Sequence, residues 1–224
     1  MPRLDELIKK DIIDQMVRDD RVDASGINID VLGGTVELKG QVPSYFMKKS
    51  GFQDTVGIPG VKDVRNRLQV VYPSSAFVPS DEQIENSIKI KLEASPDLDL
   101  RDMEVSVLVG SVTLKGTIDA YWKELYAEEI ITNEPGIVMI DNHIAVVPSD
   151  DIIDKVIAES IIDSLEKRAE VDAEQVNVRV EDGEVSLTGI VPTWPAARQA
   201  AFESAVFIGG VIHVNNRVVV ASEA

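Results

Sequence analysis

Apolar and polar residues alternate in three pairs of short segments along the chain. In the first pair, the spacing places Ile27, Ile29 and Val31 on one face with Val36 and Leu38. A period of two with one apolar face is typical of half-buried β-strands. The dipeptides that separate the paired segments are Gly33-Gly34, Val109-Gly110 and Asp182-Gly183. Because glycine accepts the positive φ of a tight turn, the pattern predicts three β-hairpins.

Each hairpin is preceded by apolar residues at helical spacing. These residues are Leu4, Leu7, Ile8, Ile12 and Met16, then Ile84, Ile88 and Leu92, and then Ile152, Val156, Ile157, Ile161 and Leu165. Ser80 and Gln83 have the spacing of a capping box, so the second helix is expected to begin after Pro79-Ser80-Asp81. A near-identical signal, Pro148-Ser149-Asp150, predicts the start of the third.

A second helix and a final strand follow each hairpin. The helices are predicted to begin near Tyr45, Tyr121 and Trp194 and to stop at Pro59-Gly60, Pro135-Gly136 and Gly209-Gly210. The final strands are rich in Val and Ile, and each contains one asparagine: Asn66, Asn142 and Asn216. The pattern leaves open which hairpin strand the final strand pairs with.

The whole arrangement occurs three times. Gly40, Gly116 and Gly189 each end a hairpin, and they lie 76 and 73 residues apart. A period of this length indicates a small domain rather than a turn of a solenoid. The fold class is therefore α+β, with both helices of each α-β-β-α-β module covering one face of a three-stranded sheet. We divide the chain into three modules: residues 1–73, 74–148 and 149–224.

Composition narrows the functional classes. The 224 residues carry a net charge of −17, and the three modules contribute 0, −9 and −8. An acidic protein is repelled by phosphate backbones, so we expect no nucleic-acid partner. The chain has no cysteine, and its two histidines, His143 and His213, lie in different modules. We therefore predict no metal, no cofactor and no enzymatic activity. Without an apolar leader the chain is expected to be cytoplasmic, or periplasmic if a signal peptide was removed.

The recurring residues are interpreted as structural. Gly40, Gly116 and Gly189 end the hairpins. Each asparagine is in step with the apolar residues of its strand, and a buried amide left unpaired costs roughly 1–3 kcal/mol. We therefore expect Asn66, Asn142 and Asn216 to bind backbone groups of a nearby loop, with ligand contact as the alternative.

Residues that differ between the copies are the candidates for ligand or partner contact. Leu108 and Val109 form an apolar hairpin tip, which is available to a partner unless another module covers it. Trp122 is an additional aromatic residue beside Tyr121, suited to a lipid interface or to the core. Lys48 and Lys49, with Lys62, Arg65 and Arg67, are candidates for anionic headgroups or for solvated ion pairs. The loose acidic set Asp97, Asp99, Asp102 and Glu104 lacks the spacing of a calcium loop.

The repeat resembles the BON domain family, named for bacterial osmotically inducible and nodulation proteins. The resemblance rests on Val-x-Leu-x-Gly at Val36–Gly40 and Val112–Gly116, on a Gly-Val such as Gly60-Val61 before the last strand, and on Val-x-Asn at Val64–Asn66. The third copy has the same motifs at Val185–Gly189, Gly210-Val211 and Val214–Asn216, whereas the middle copy has Gly136-Ile137 and Ile140-Asp141-Asn142.

The resemblance implies a non-enzymatic, stress-associated protein that binds phospholipid or another envelope component. The alternative is a cytoplasmic scaffold that binds a partner protein or senses cations. Short linkers, the apolar tip at Leu108 and Val109 and the acidic second and third modules favour this alternative.

Overall fold

The computed structural model describes residues 4–148, 152–169, 171–191 and 195–220. It confirms three successive α-β-β-α-β modules. The first module contains α1 (Asp5–Arg18), β1 (Ile27–Leu32), β2 (Thr35–Val42), α2 (Tyr45–Val56) and β3 (Asp63–Val70). The second contains α3 (Asp81–Glu93), β4 (Met103–Leu108), β5 (Ser111–Ile118), α4 (Tyr121–Ile131) and β6 (Met139–Val146). The third contains α5 (Asp154–Glu166), β7 (Val176–Glu181), β8 (Glu184–Val191), α6 (Pro195–Val206) and β9 (His213–Val220).

The second hairpin strand is the central strand of every sheet. In the first module β2 pairs antiparallel with β1 and parallel with β3, with Leu38 opposite both Ile29 and Asn66. The other two sheets have the same order. A parallel pair needs a crossover connection. The connection is α2, which returns the chain to the end of the sheet at which β2 begins. The strand order that the sequence left open is thereby resolved.

Each module has its own core, formed between one sheet face and the first helix. In the first module Ile12 and Met16 of α1 and Val36 and Leu38 of β2 are completely buried. Their counterparts in the other modules are buried in the same way: Ile84, Ile88, Leu92, Val112 and Leu114, and then Ile157, Ile161, Leu165, Val185 and Leu187. The apolar face of the first helix therefore packs on the apolar face of the sheet, and this contact forms the core of the module.

An aspartate at the start of the first helix holds the hairpin turn in every module. In the second module the Asp81 carboxylate accepts hydrogen bonds from the backbone N–H of Val109 at 2.7 Å and of Gly110 at 2.9 Å. Asp5 and Asp154 bind the equivalent turns. Val109 has a φ of 52°, which is unfavourable for a β-branched residue, so this turn depends on its anchor more than the others.

The anchoring aspartate also corrects the predicted start of the third helix. That helix begins at Asp154, with Ile153 before it and no side-chain cap, rather than directly after Pro148-Ser149-Asp150. The helix begins where its aspartate can reach the turn at Asp182. Ser149 and Asp150 lie outside the described residues. The capping box of Ser80 and Gln83 is confirmed in the second module.

We expect Asp81→Ala to destabilise the second module by about 1–2 kcal/mol, because two hydrogen bonds to a charged acceptor are lost at a strained turn. The free energy of unfolding in urea measures this loss. Glu82→Ala is the matched control, since Glu82 is exposed in the same first helical turn and so shares the helix-dipole contribution. Equal losses in the two variants would show that the anchor contributes nothing.

The recurring asparagines bind a helix rather than the predicted loop. The Nδ2 of Asn66 donates to the backbone carbonyl of Lys48 in α2, and its Oδ1 accepts from the N–H of Leu68. Asn216 makes the same pair of bonds to Arg198 and Val218. The second helix packs against the last strand, so the amide meets a helix carbonyl there.

Candidate functional site

Successive modules meet head to tail. We call the head of a module the start of its second helix and the end of its last strand. The tail is the opposite end, with the start of the first helix, the hairpin turn and the glycine turn before the last strand. The head of one module contacts the tail of the next at two junctions.

The first junction joins the first and second modules through polar contacts. Tyr72, just beyond β3, donates its hydroxyl to the carbonyl of Ile137 at 3.1 Å and accepts from the N–H of Gly136 at 2.9 Å. The Nζ of Lys49 lies 3.3 Å from Glu128 and 3.0 Å from Glu129. The ring of Tyr45 packs against the core of the second module. Burial raises the pKa of Tyr45 to about 12.

The second junction is mainly aromatic. Tyr121, at the start of α4, is only 6% exposed and belongs to the core of the third module rather than its own. Its ring meets His213 edge-on with 5.5 Å between the ring centroids. The neighbouring Trp122 packs against Phe207 with 6.3 Å between centroids. This contact places Trp122 between modules.

The remaining head and the remaining tail border a cleft. It lies between the tail of the first module and the head of the third, and its volume is about 960 Å3. Apolar side chains form much of its wall: Leu4, Ile8, Ile58, Val61, Val218 and Val219. Leu4 is 70% exposed and Val219 is 53% exposed, so apolar surface is available to a ligand. Polar groups are set around this surface, as in most ligand sites.

The charged groups of the cleft are predominantly cationic. Lys62 lies on the wall of the first module, and Arg198 and Arg217 lie on the wall of the third. Within the described parts of the chain, no carboxylate lies within 4 Å of these three cations. The lining also contains Asp5, whose carboxylate accepts hydrogen bonds from the N–H groups of Gly33 and Gly34. The cleft is therefore positive although the protein carries −17, and it favours an anionic ligand.

One helix position distinguishes the three heads. It is the residue in the second helix that the recurring asparagine contacts, 18 positions before that asparagine: Lys48, Glu124 and Arg198. In the second module the Nδ2 of Asn142 donates to the Glu124 carboxylate at 3.4 Å instead of to a carbonyl. Burial, with a smaller effect of Glu128, raises the pKa of Glu124 to about 7.

Glu124 should make stability depend on pH. The unfolded chain loses this proton near the ordinary value of 4.5 and the folded chain near 7, so the folded state holds an additional proton between them. Stability is therefore expected to fall as the pH rises through this range. Glu124→Gln removes the fall and leaves the variant more stable than wild type at pH 8, by about 1 kcal/mol for a half-exposed group.

Urea unfolding midpoints at pH 4, 6 and 8 measure this difference. The two proteins should converge at pH 4, where both side chains are neutral. Glu93→Gln is the control, because Glu93 is an exposed residue of α3. A difference between wild type and Glu124→Gln that stays constant with pH would contradict the assignment.

The other residues selected from the sequence are dispersed. Leu108 and Val109 stay 74% and 80% exposed at their hairpin tip, and Leu32 is equally exposed at the corresponding tip of the first module. Lys49 is engaged in the first junction, whereas Lys62 reaches the cleft. Arg198 and Arg217 are not among the residues that the sequence pattern predicts. Only the way in which the third module faces the first brings them to the cleft.

The acidic residues of the second module form no ligand set. Asp99 is paired with Arg101, which lowers the pKa of Asp99 to about 2. Across the described ranges, no cluster of three or more His, Asp or Glu side chains has the arrangement of a metal site. The same ranges contain no helix with the length and hydropathy needed to cross a bilayer.

Three small modules joined head to tail, with a cationic cleft between the first and the third, define a tandem-domain binding protein. The chain belongs to the BON domain family, since the family profile matches residues 4–72, 80–148 and 153–222. The family is associated with stress and the cell envelope, and its domains are generally non-catalytic binding modules.

Similarity to solved structures is remote. CdsD, a structural protein of the type III secretion system of Chlamydia trachomatis, is 17% identical, with 96% of this chain and 92% of that chain covered and a TM-score of 0.27. A second structure, of the C-terminal domain of CdsD, is 16% identical, with 99% and 100% covered and a TM-score of 0.27. Comparison with curated protein sequences gives no match.

Proposed function

We propose that this protein binds anionic phospholipid of the bacterial envelope without catalysing a reaction. The observation that carries the proposal is the cleft between the first and third modules, where apolar walls and three cations occur together. A phospholipid has this combination of an apolar body and an anionic phosphate. Other BON domains are known to bind membranes and phospholipids, which supports the same class of ligand.

The overall charge favours a selective site over general adhesion. The second and third modules are acidic and are repelled by an anionic bilayer. Attraction is therefore restricted to the neutral first module and to the cleft, where Lys62, Arg198 and Arg217 lie. Such a protein binds with one orientation, and its affinity falls with salt because the contact is electrostatic.

Vesicle flotation tests the proposal. At low salt the protein is expected to float with vesicles that contain phosphatidylglycerol and to stay in the soluble fraction with pure phosphatidylcholine vesicles. Raising the salt should release it. A protein that stays soluble with both vesicle types at low salt does not bind anionic phospholipid.

Docking of a protein partner is the second candidate function. It is favoured by the apolar tip at Leu108 and Val109, which no other module covers in the described ranges of the chain. Burying two such side chains contributes roughly 1.5–3 kcal/mol each. Leu108→Asp should then abolish capture of a partner by the immobilised protein, while Glu181→Asp, at the tip of the third module, should have no effect. Unchanged capture by Leu108→Asp would exclude docking through this tip.

A further inference from the structure

We infer that the phospholipid in the cleft completes a third head-to-tail junction, closing the three modules into a ring. Its phosphate is held between Lys62, Arg198 and Arg217, and its acyl chains begin on the apolar wall. This inference rests on the proposed function, and it adds where the ligand binds and what its binding does to the molecule.

The repeat itself identifies the cleft as a junction. At the first junction the tail contributes the glycine turn at Gly136 and Ile137, and at the second it contributes Phe207 and His213. The corresponding tail of the first module, at Gly60 and Val61, lines the cleft. The opposite wall is the end of β9, which is the head of the third module. Two of three equivalent junctions are thus filled by the protein, and the third contains open space.

The ion pair of the first junction has no counterpart at the third. At the first junction Lys49 forms ion pairs with Glu128 and Glu129 of α4. The residues of the first module that correspond to these two acids are Phe52 and Gln53. Lys49 itself corresponds to Gln199 of the third module, so neither partner of this ion pair is present at the cleft.

Like charges on the two walls make an anion the fitting occupant. Lys62 on one wall and Arg198 and Arg217 on the other repel one another across the cleft. An anion between the walls replaces this repulsion with attraction to both modules. A phosphate is well suited, because arginine binds it with paired hydrogen bonds and lysine binds it as a point charge.

The apolar wall and the size of the cleft define the rest of the ligand. At the first two junctions the rings of Tyr45 and Tyr121 cover apolar surface of the next module. In the cleft Leu4 and Val219 are uncovered and can be covered by acyl chains. About 960 Å3 lies at the upper end of the roughly 300–1,000 Å3 typical of small-molecule sites. This volume accommodates a headgroup and the first part of the chains, with the remainder left in a bilayer.

Charge reversal in the full-length chain tests the site. Lys62→Glu with Arg217→Glu is expected to weaken binding of dihexanoyl phosphatidylglycerol, used below its micellar concentration, at least tenfold. Arg65→Glu with Arg179→Glu is the matched control, because it changes the net charge equally at exposed positions of the same two modules. An equal loss of affinity in both double variants would overturn the site while leaving phospholipid binding intact.

Ring closure is measured as a distance. Because the chain contains no cysteine, Glu6→Cys with Thr188→Cys introduces two spin labels, at exposed positions of the first and third modules. The distance distribution should narrow with the short-chain phosphatidylglycerol and stay unchanged with the matching phosphatidylcholine. Lys115→Cys with Asp163→Cys spans the second junction and should not respond.

The outcomes separate the inference from the proposed function. If the wild-type protein binds no phosphatidylglycerol, phospholipid binding itself is wrong. If it binds but the distances between the first and third modules do not change, the ring closure is wrong. If inorganic phosphate alone narrows the distribution equally, the acyl chains have no role in closing the junction and their placement is overturned.

Discussion

Replacing Gly40 with alanine is expected to unfold the first module. Gly40 has a φ of 127°, which side chains rarely adopt, and an added Cβ would overlap the carbonyl oxygen of Gly26. The oxygen belongs to the backbone where β1 begins, so it cannot move without breaking the hairpin. We expect the free energy of unfolding to fall by at least about 4 kcal/mol, because losses of this size arise when a substitution forces a clash with the backbone. A module of this size has roughly 4–11 kcal/mol of stability in all.

Two glycines of the same module separate the clash from the other effects of adding a methyl group. Gly33 also has positive φ but meets nothing within 4 Å, so Gly33→Ala should cost only about 1–2 kcal/mol of backbone strain. Gly51 lies inside α2 with only ordinary contacts, so Gly51→Ala should be neutral or stabilising. Urea unfolding and hydrogen exchange of the first module measure the series. Equal effects at Gly40 and Gly33 would contradict the clash.

The clash at Gly40 explains why the repeat could be recognised from sequence. Gly116 and Gly189 meet the carbonyl oxygens of Asp102 and Gln175 in the same way, so all three positions require glycine for one steric reason. Local rules of this kind, together with the alternation of buried residues, were sufficient to predict the elements and the modules. They depend only on contacts within about 75 residues of chain.

Other features could not be read from local pattern. Asp81 lies 28 residues before the turn it anchors, and acidic residues are common in the first turn of any helix, so its role became visible only in the fold. For the same reason the sequence signal predicts too early a start for the third helix, which begins at Asp154. Strand order was also beyond the pattern, because an apolar final strand fits either neighbour equally well.

The cleft was least accessible to sequence reasoning because it depends on how modules face one another. Lys62 is one of the basic residues of the first module that are candidates for anionic headgroups, whereas Arg198 and Arg217 belong to a module with a net charge of −8. The negative net charge of that module gives no indication that two of its arginines lie together at one site. The first and third modules line one cleft only because of how both junctions orient the modules, and no single segment of the sequence specifies that orientation.

Tyr121→Ala is expected to destabilise a module to which Tyr121 does not belong. The residue starts α4 of the second module, yet its ring is buried in the core of the third beside His213. Removing a buried aromatic ring of this size costs about 3–5 kcal/mol. The cavity arises in the third module, whose own sequence is unchanged, so the loss measures coupling across the junction.

Hydrogen exchange resolved by module gives the direct measurement. In wild type the amides of β8 and β9 should exchange with nearly the same free energy as those of β5 and β6, because the buried ring couples the two cores. In Tyr121→Ala the third module should open first and calorimetry should show an additional transition. Phe77→Ala is the control, since it removes an aromatic ring that is 79% exposed. Its loss should be about 1 kcal/mol or less. If the amides of β8 and β9 remain protected in Tyr121→Ala, the second and third modules are independent domains. A ligand at the third junction would then not close a rigid ring, because the second junction would not hold its modules in a fixed arrangement.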